Sequence, residues 1–126
     1  MRNEWQVGVV IPAKNEQDFI DDVISTLPSY VDAIIVVNDG STDSTKQIVE
    51  NNMNNNNKIE LIDLPGDGVG AAIDAGHQKM LTKLSAPFVS VVMAGDGQMD
   101  VDDFDSIIKP IIDNRADYVK GNRFIH

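Results

Sequence analysis

The sequence predicts an α/β fold: a mostly parallel sheet with helices on both faces, arranged as three α/β/α layers. Three observations predict it. Short, β-branched apolar runs alternate with segments of helical period along the chain. Most of those runs are nearly continuous rather than alternating, as strands covered on both faces should be. Each run also ends in polar or glycine-rich residues, which suit loops at the carboxyl edge of a sheet.

The first strand is predicted over Val7–Ile11. Phe19, Ile20, Val23, Ile24 and Leu27 then outline an apolar helical stripe, with Asn15 as N-cap and Pro28 as stop. A second strand is predicted over Ala33–Val37, followed by a helix that starts at a Ser41-Thr42-Asp43 cap and carries Ile48 and Val49. The asparagine-rich run 51–57 reads as the exposed end of that helix and its loop, because asparagine favours turns. A third strand over Ile59–Leu64 precedes a helix outlined by Val69, Ala72, Ile73, Gly76, Met80, Leu81 and Leu84. A fourth strand over Phe88–Met93 precedes a helix outlined by Phe104, Ile107, Ile108, Ile111 and Ile112, which Pro110 should kink or split. A weaker fifth strand is expected at Tyr118–Val119. The order βαβαβαβαβ implies parallel strands joined by right-handed crossovers.

Length and charge bound the function. A chain of 126 residues is one domain, 1–126, large enough to bury a core without staples. With 10 basic against 20 acidic side chains the net charge is −10, a surface that repels nucleic acid and anionic lipid. An anionic ligand would have to bind through helix N-termini, a few local cations or a bridging metal. The absence of cysteine excludes disulfides and thiolate metal sites. No apolar run approaches the ~18 residues of a membrane span, and Met1–Trp5 opens no signal-like stretch. The expectation is a soluble cytoplasmic protein.

The polar tips converge on one sheet edge, which makes that edge the site candidate. They are Pro12–Glu16, Asn38–Asp43, Pro65–Gly70, Ala94–Asp100 and Lys120–Arg123. Asp39, followed by Gly40 and a Ser/Thr cap, suits hydrogen bonds from a ribose or a base N–H, or else an Asx turn. Glu16 reads as a ligand contact or as a first-turn carboxylate favoured by the helix dipole. Among Asp96, Asp100, Asp102, Asp103 and Asp105, Asp96 lies between two glycines and is the better ligand for Mg²⁺ or Mn²⁺, while the others suit a cap and a solvated helix face. The run 66–71 loosely fits the G-x-G-x-x-A dinucleotide fingerprint but lies on the third strand, with no acidic strand tip about 20 residues on. It reads better as a flexible turn that lets backbone approach a ligand.

Taken together, Val10-Ile11-Pro12-Ala13-Lys14-Asn15-Glu16 and Val36-Val37-Asn38-Asp39-Gly40-Ser41-Thr42-Asp43 resemble the nucleotide-binding start of family 2 glycosyltransferases. Gly68–Gly76 is similar to their glycine/alanine-rich helix start, Met93–Asp100 to the segment bearing their Asp-x-Asp signature, and Gly121-Asn122-Arg123-Phe124 to a following Gly-x-Arg element. The likeness covers nearly the whole chain, in the family's order. It is nearest in flavour to the dolichyl-phosphate-mannose synthase-like, polyprenyl-linked sugar transferase branch.

The resemblance implies a GT-A fold, a nucleotide-diphosphate-sugar donor, a divalent cation and inverting transfer. It places Pro12, Lys14 and Glu16 around the nucleoside, Asp39 on base or ribose, and Gly68 in the donor pocket. Asp96 would hold Mg²⁺ or Mn²⁺ with the diphosphate, Gln98 would lie near the sugar, and Arg123 would meet a phosphate. The signature's first Asp is Ala94 here. The resemblance further implies that the chain is the donor-binding portion of a longer enzyme, so it assigns no general base. The acceptor would be a polyprenyl phosphate or a saccharide, with the inner face of a membrane as the alternative location. The rival readings are a nucleotide-sugar-binding module without turnover and, more remotely, a phosphoacceptor receiver domain. The latter wants an acidic pair at the first strand's end, where this chain has Lys14 and Glu16.

Overall fold

A computed structural model of the chain describes residues 6–84, 88–93 and 124–125. Its elements are β1 (Gln6–Ala13), α1 (Ile20–Ser25), β2 (Ala33–Asp39), α2 (Thr45–Met53), β3 (Ile59–Leu64), α3 (Val69–Lys83), β4 (Phe88–Val92) and β5 (Phe124–Ile125). The strands form one parallel sheet in the order β3-β2-β1-β4-β5. The α/β expectation therefore holds, as do the first four strands and first three helices.

Crossover handedness explains the layers. The chain steps from β1 to β2 to β3 in one direction, so right-handed crossovers put α1 and α2 on the same face. From β3 it returns past β2 and β1 to β4, and the same hand puts α3 on the opposite face. Two apolar clusters result. Val7, Val9, Ile11, Ile34, Val36, Val89 and Val91 pack with Ile20, Val23, Ile24 and Val49 on the α1–α2 side. Val10, Ile35, Val37, Phe88 and Val92 pack with Ala72, Met80 and Leu84 on the α3 side. Strand residues of alternate parity thus feed both layers, which is why β1, β2 and β4 read as continuous apolar runs.

The structure differs from the sequence reading at several points. Asn15 does not cap α1: the helix starts at Ile20, after a turn in which Glu16 O accepts from the Phe19 and Ile20 N–H groups. Helix α2 starts at Thr45 rather than directly after a Ser41–Asp43 cap, although Asp43 Oδ1 does accept the Thr45 N–H at 2.9 Å. On α3, Ala72, Gly76 and Met80 are buried at i, i+4 and i+8, whereas Leu81, about 100° around the helix from Met80, is 46% exposed. The expected fifth strand at Tyr118–Val119 and the fourth helix, 104–112, lie outside the described residues. The fifth strand that is described is Phe124–Ile125, beside Ser90–Val91.

Among the described residues, three carboxylates are held below their ordinary pKa. At Asp63 the cause is the Lys46 ammonium at 2.6 Å, helped by a hydrogen bond from Asn38 Nδ2. At Glu60 it is Lys79 and Lys83. Desolvation works against the shift at Asp43, but hydrogen bonds from the Thr45 hydroxyl, the Thr45 N–H and the Gln17 N–H outweigh it. Each folded-state pKa lies below its unfolded value, so these groups stabilise the fold above the ordinary carboxylate range and stop doing so as pH falls through the lowered values. Lys46 is raised by Asp63, so its contribution is lost only as pH rises through its elevated pKa. Burial likewise holds His77 below the ordinary histidine value, so the urea midpoint is expected to hold between about pH 7 and 9, to ease as pH falls past the histidine range and to fall further below about pH 4. A midpoint that stays level down to pH ~3 would refute the assignment.

Candidate functional site

The carboxyl ends of the central strands are level. Ala13 of β1 sits beside Asn38 of β2, and Asp39 beside Leu64 of β3. The loops that leave these ends therefore rise from one line. They enclose a cleft of about 300 Å³ lined by Pro12, Ala13, Lys14, Glu16, Asp39, Gly66, Gly68, Val69 and Ala72. That volume is at the lower end of the range for small-molecule pockets, ~300–1,000 Å³.

Each loop supplies a different chemistry. Pro12 and the exposed Val69 give a small apolar surface, with Ala13 and Ala72 buried behind it. Lys14 brings a cation, and Glu16 and Asp39 bring acceptors. The first turn of α3 forms one wall through Gly68, Val69 and Ala72, and its macrodipole favours negative charge there. An anion can thus be met without a net positive surface.

Asp39 is 5% exposed, and its two carboxylate oxygens accept the Asp67 N–H at 2.8 Å and the Gly68 N–H at 2.9 Å. It ties the β2 tip to the start of α3, and each oxygen keeps a second lone pair for a ligand. The two loops also touch directly: a Cβ on Gly40 would come within 3.0 Å of Gly66 Cα, and Gly40 has φ 75°. Gly68 has φ 102°, in the region that favours glycine, where the chain turns into α3.

The β1–α1 and β2–α2 loops are joined as well. Asn15 N–H donates to Ser41 Oγ (2.9 Å), and Thr42 N–H donates to Asn15 Oδ1 (2.8 Å). Glu16 N–H donates to Thr45 Oγ1 (2.8 Å), and Ser44 N–H to Gln17 Oε1 (3.0 Å).

Five of the residues singled out from sequence, Pro12, Lys14, Glu16, Asp39 and Gly68, therefore line one cleft. Gln98, Arg123 and Asp96 lie outside the described residues. Sequence reasoning missed Val69 as a lining residue and put it in the apolar stripe of α3. The structure leaves it 64% exposed at the cleft, because the first residue of α3 extends past the sheet that the later turns cover. Its place at i−3 from buried Ala72, directly after a glycine turn, was the available signal.

Among the described residues, no group of three His, Cys, Asp or Glu side chains could hold a metal ion. The cleft's carboxylates are those of Glu16 and Asp39, and both Asp39 oxygens already accept backbone N–H groups. These residues do not make a metal site by themselves. The expectation of Mg²⁺ or Mn²⁺ rests on Asp96.

A parallel α/β sheet with a ligand-sized cleft beyond its carboxyl edge defines an open α/β protein with its site where such sheets hold their ligands. Comparison with known proteins sharpens this: the sequence profile of glycosyl transferase family 2 matches residues 8–126, and the chain belongs to that family. Its fold is the Rossmann-like GT-A type that the family resemblance implies. It is similar to the UDP-N-acetylglucosamine–dolichyl-phosphate N-acetylglucosaminyltransferase of Methanococcus voltae, at 37% identity over 93% of this chain and 51% of that protein. It is also similar to an uncharacterized glycosyltransferase of Mycobacterium bovis (31%, covering 93% and 48%) and to a dolichyl-phosphate beta-glucosyltransferase of Trichomonas vaginalis (32%, covering 83% and 35%). The chain spans about half the length, or less, of these curated relatives. Among the described residues no helix is long and apolar enough to cross a membrane.

Proposed function

We propose that this chain forms the nucleotide-sugar-binding half of a glycosyltransferase that transfers its sugar, with inversion, to a polyprenyl phosphate. The observation that carries the reading is the convergence of three strand tips, through Pro12, Lys14, Glu16, Asp39 and Gly68, on one cleft. The apolar patch suits the base, while Glu16 and Asp39 suit the base N–H groups and ribose hydroxyls. Lys14 and the α3 N-terminus suit the diphosphate. In the transfer an acceptor oxygen forms a bond to the anomeric carbon as the bond from that carbon to the diphosphate breaks. Charge then develops on the nucleoside diphosphate, and a cation and a helix N-terminus at that point stabilise the leaving group. Gln98 near the sugar, Arg123 on a phosphate and Asp96 with Mg²⁺ or Mn²⁺ belong to the same reading. Two of the similar proteins are named for dolichyl-phosphate acceptors, which favours polyprenyl phosphate over a saccharide.

Calorimetric titration with UDP-N-acetylglucosamine, GDP-mannose and dTDP-glucose, each with and without Mn²⁺, tests the donor site. Binding of at least one, strengthened by Mn²⁺, is the expected outcome. If none binds, the reading fails. Transfer of radiolabelled sugar to a polyprenyl phosphate then separates a catalyst from a binding module.

A further inference from the structure

The geometry points to a positioning role for four residues that do not themselves line the cleft: Asn15, Gln17, Asp43 and Thr45 hold the Lys14–Glu16 segment in its binding conformation before a nucleotide arrives. The inference rests on the donor reading above.

Three consecutive backbone N–H groups, those of Asn15, Glu16 and Gln17, each donate to a side chain of the 41–45 loop: Ser41 Oγ, Thr45 Oγ1 and Asp43 Oδ2. Two side chains return the contact, since Asn15 Oδ1 and Gln17 Oε1 accept the Thr42 and Ser44 N–H groups. Thr45 anchors the lattice. It is fully buried, and its hydroxyl donates to Asp43 Oδ1 at 2.5 Å while accepting the Glu16 N–H.

This is not a sheet ladder. Each rung joins a backbone group of one loop to a side chain of the other, so the tie depends on side-chain identity. Asn15 is held at φ 55°, a left-handed conformation that asparagine tolerates better than most residues. Lys14 and Glu16, on either side of it, both line the cleft. The loop at the other end of the lattice starts from Asp39 and Gly40, and Asp39 in turn holds the Asp67 and Gly68 N–H groups. The three walls that the described residues give the cleft are therefore linked in the free chain. A nucleoside diphosphate sugar entering such a cradle has little ordering entropy to overcome.

Asn15→Gly and Thr45→Val test this. Glycine accepts the left-handed φ without strain, and valine keeps the shape of threonine without its hydroxyl. Asn15→Asp and Thr45→Ser keep the hydrogen-bonding atoms. In the ligand-free chain, amide exchange at residues 15–17 should accelerate at least about tenfold in Asn15→Gly and Thr45→Val. Affinity for UDP-N-acetylglucosamine, or for whichever of the three nucleotide sugars binds best, should fall about tenfold. Asn15→Asp and Thr45→Ser should stay close to the wild type in both. The Asn15→Gly change lies on an exposed loop, so its urea midpoint should barely move. Failure of the wild-type chain to bind any of the three sugars would overturn the donor reading. Wild-type binding with unchanged affinity in Asn15→Gly and Thr45→Val would overturn the positioning inference alone, as would affinity loss without faster exchange at 15–17.

Discussion

Asp39→Ala is expected to weaken nucleotide-sugar binding by at least about 100-fold, equivalent to ~2.7 kcal/mol. Two losses combine. The first is the acceptor that the carboxylate offers a ligand through its remaining lone pairs. The second is architectural, because the Asp67 and Gly68 N–H groups lose the oxygens that hold them at 2.8 and 2.9 Å. Leaving a buried donor unsatisfied costs ~1–3 kcal/mol, but both residues are exposed enough for water to replace part of the loss. A stability decrease of about 1–2 kcal/mol is therefore expected, smaller than the effect on binding. Asp39→Asn should fall between, since its amide offers one oxygen where two are used. Calorimetry on the three proteins measures the first effect and urea titration the second. Wild-type affinity in Asp39→Ala would remove Asp39 from the site.

Gly76→Val is expected to give the largest loss of stability, about 3 kcal/mol or more. Gly76 is buried at the middle of α3, where a Cβ would overlap the Val10 side chain of β1. Val10 is fully buried and β-branched, so it cannot swing aside as a flexible side chain would. In Gly76→Ala, a helix-propensity gain of ~1 kcal/mol offsets part of an overpacking cost of ~1–3 kcal/mol, leaving a smaller net loss. Val10→Ala should relieve that clash, so the double variant Val10→Ala/Gly76→Ala should be less destabilised than the sum of its single changes. The urea midpoint with an unchanged slope measures each effect. A Gly76→Ala chain at least as stable as the wild type would show that the helix can move off the sheet freely.

These two residues also mark how far the sequence could be read. Asp39 could be singled out as a candidate because an acidic side chain at a strand tip, followed by glycine, suits a ligand contact or an Asx turn. Its bonds to Asp67 and Gly68 could not be, because they join positions 28 and 29 residues apart. Gly76 could be placed on the apolar stripe of α3, but its closeness to Val10 is a tertiary contact. Asn15 shows the opposite outcome. Its local pattern suits a helix cap, yet the β2–α2 loop offers Ser41 Oγ and the Thr42 N–H, and that longer-range pairing prevails. Val69 was misplaced because periodicity reports which side of a helix is apolar, not where the sheet beneath it stops.

The sequence by itself determined the α/β class, the first four strands and the first three helices. It also determined the sheet edge where Pro12, Lys14, Glu16, Asp39 and Gly68 would lie, and the family. Those follow from local periodicity, turn chemistry and ordered motifs, which neighbouring residues encode. Only the tertiary structure decided the sheet order β3-β2-β1-β4-β5, the opposite faces of α3 and the α1–α2 pair, and the side-chain lattice between residues 15–17 and 41–45. These depend on which distant groups meet when strands align, and a bond such as Glu16 N–H to Thr45 Oγ1 exists only once β1 and β2 are paired in register.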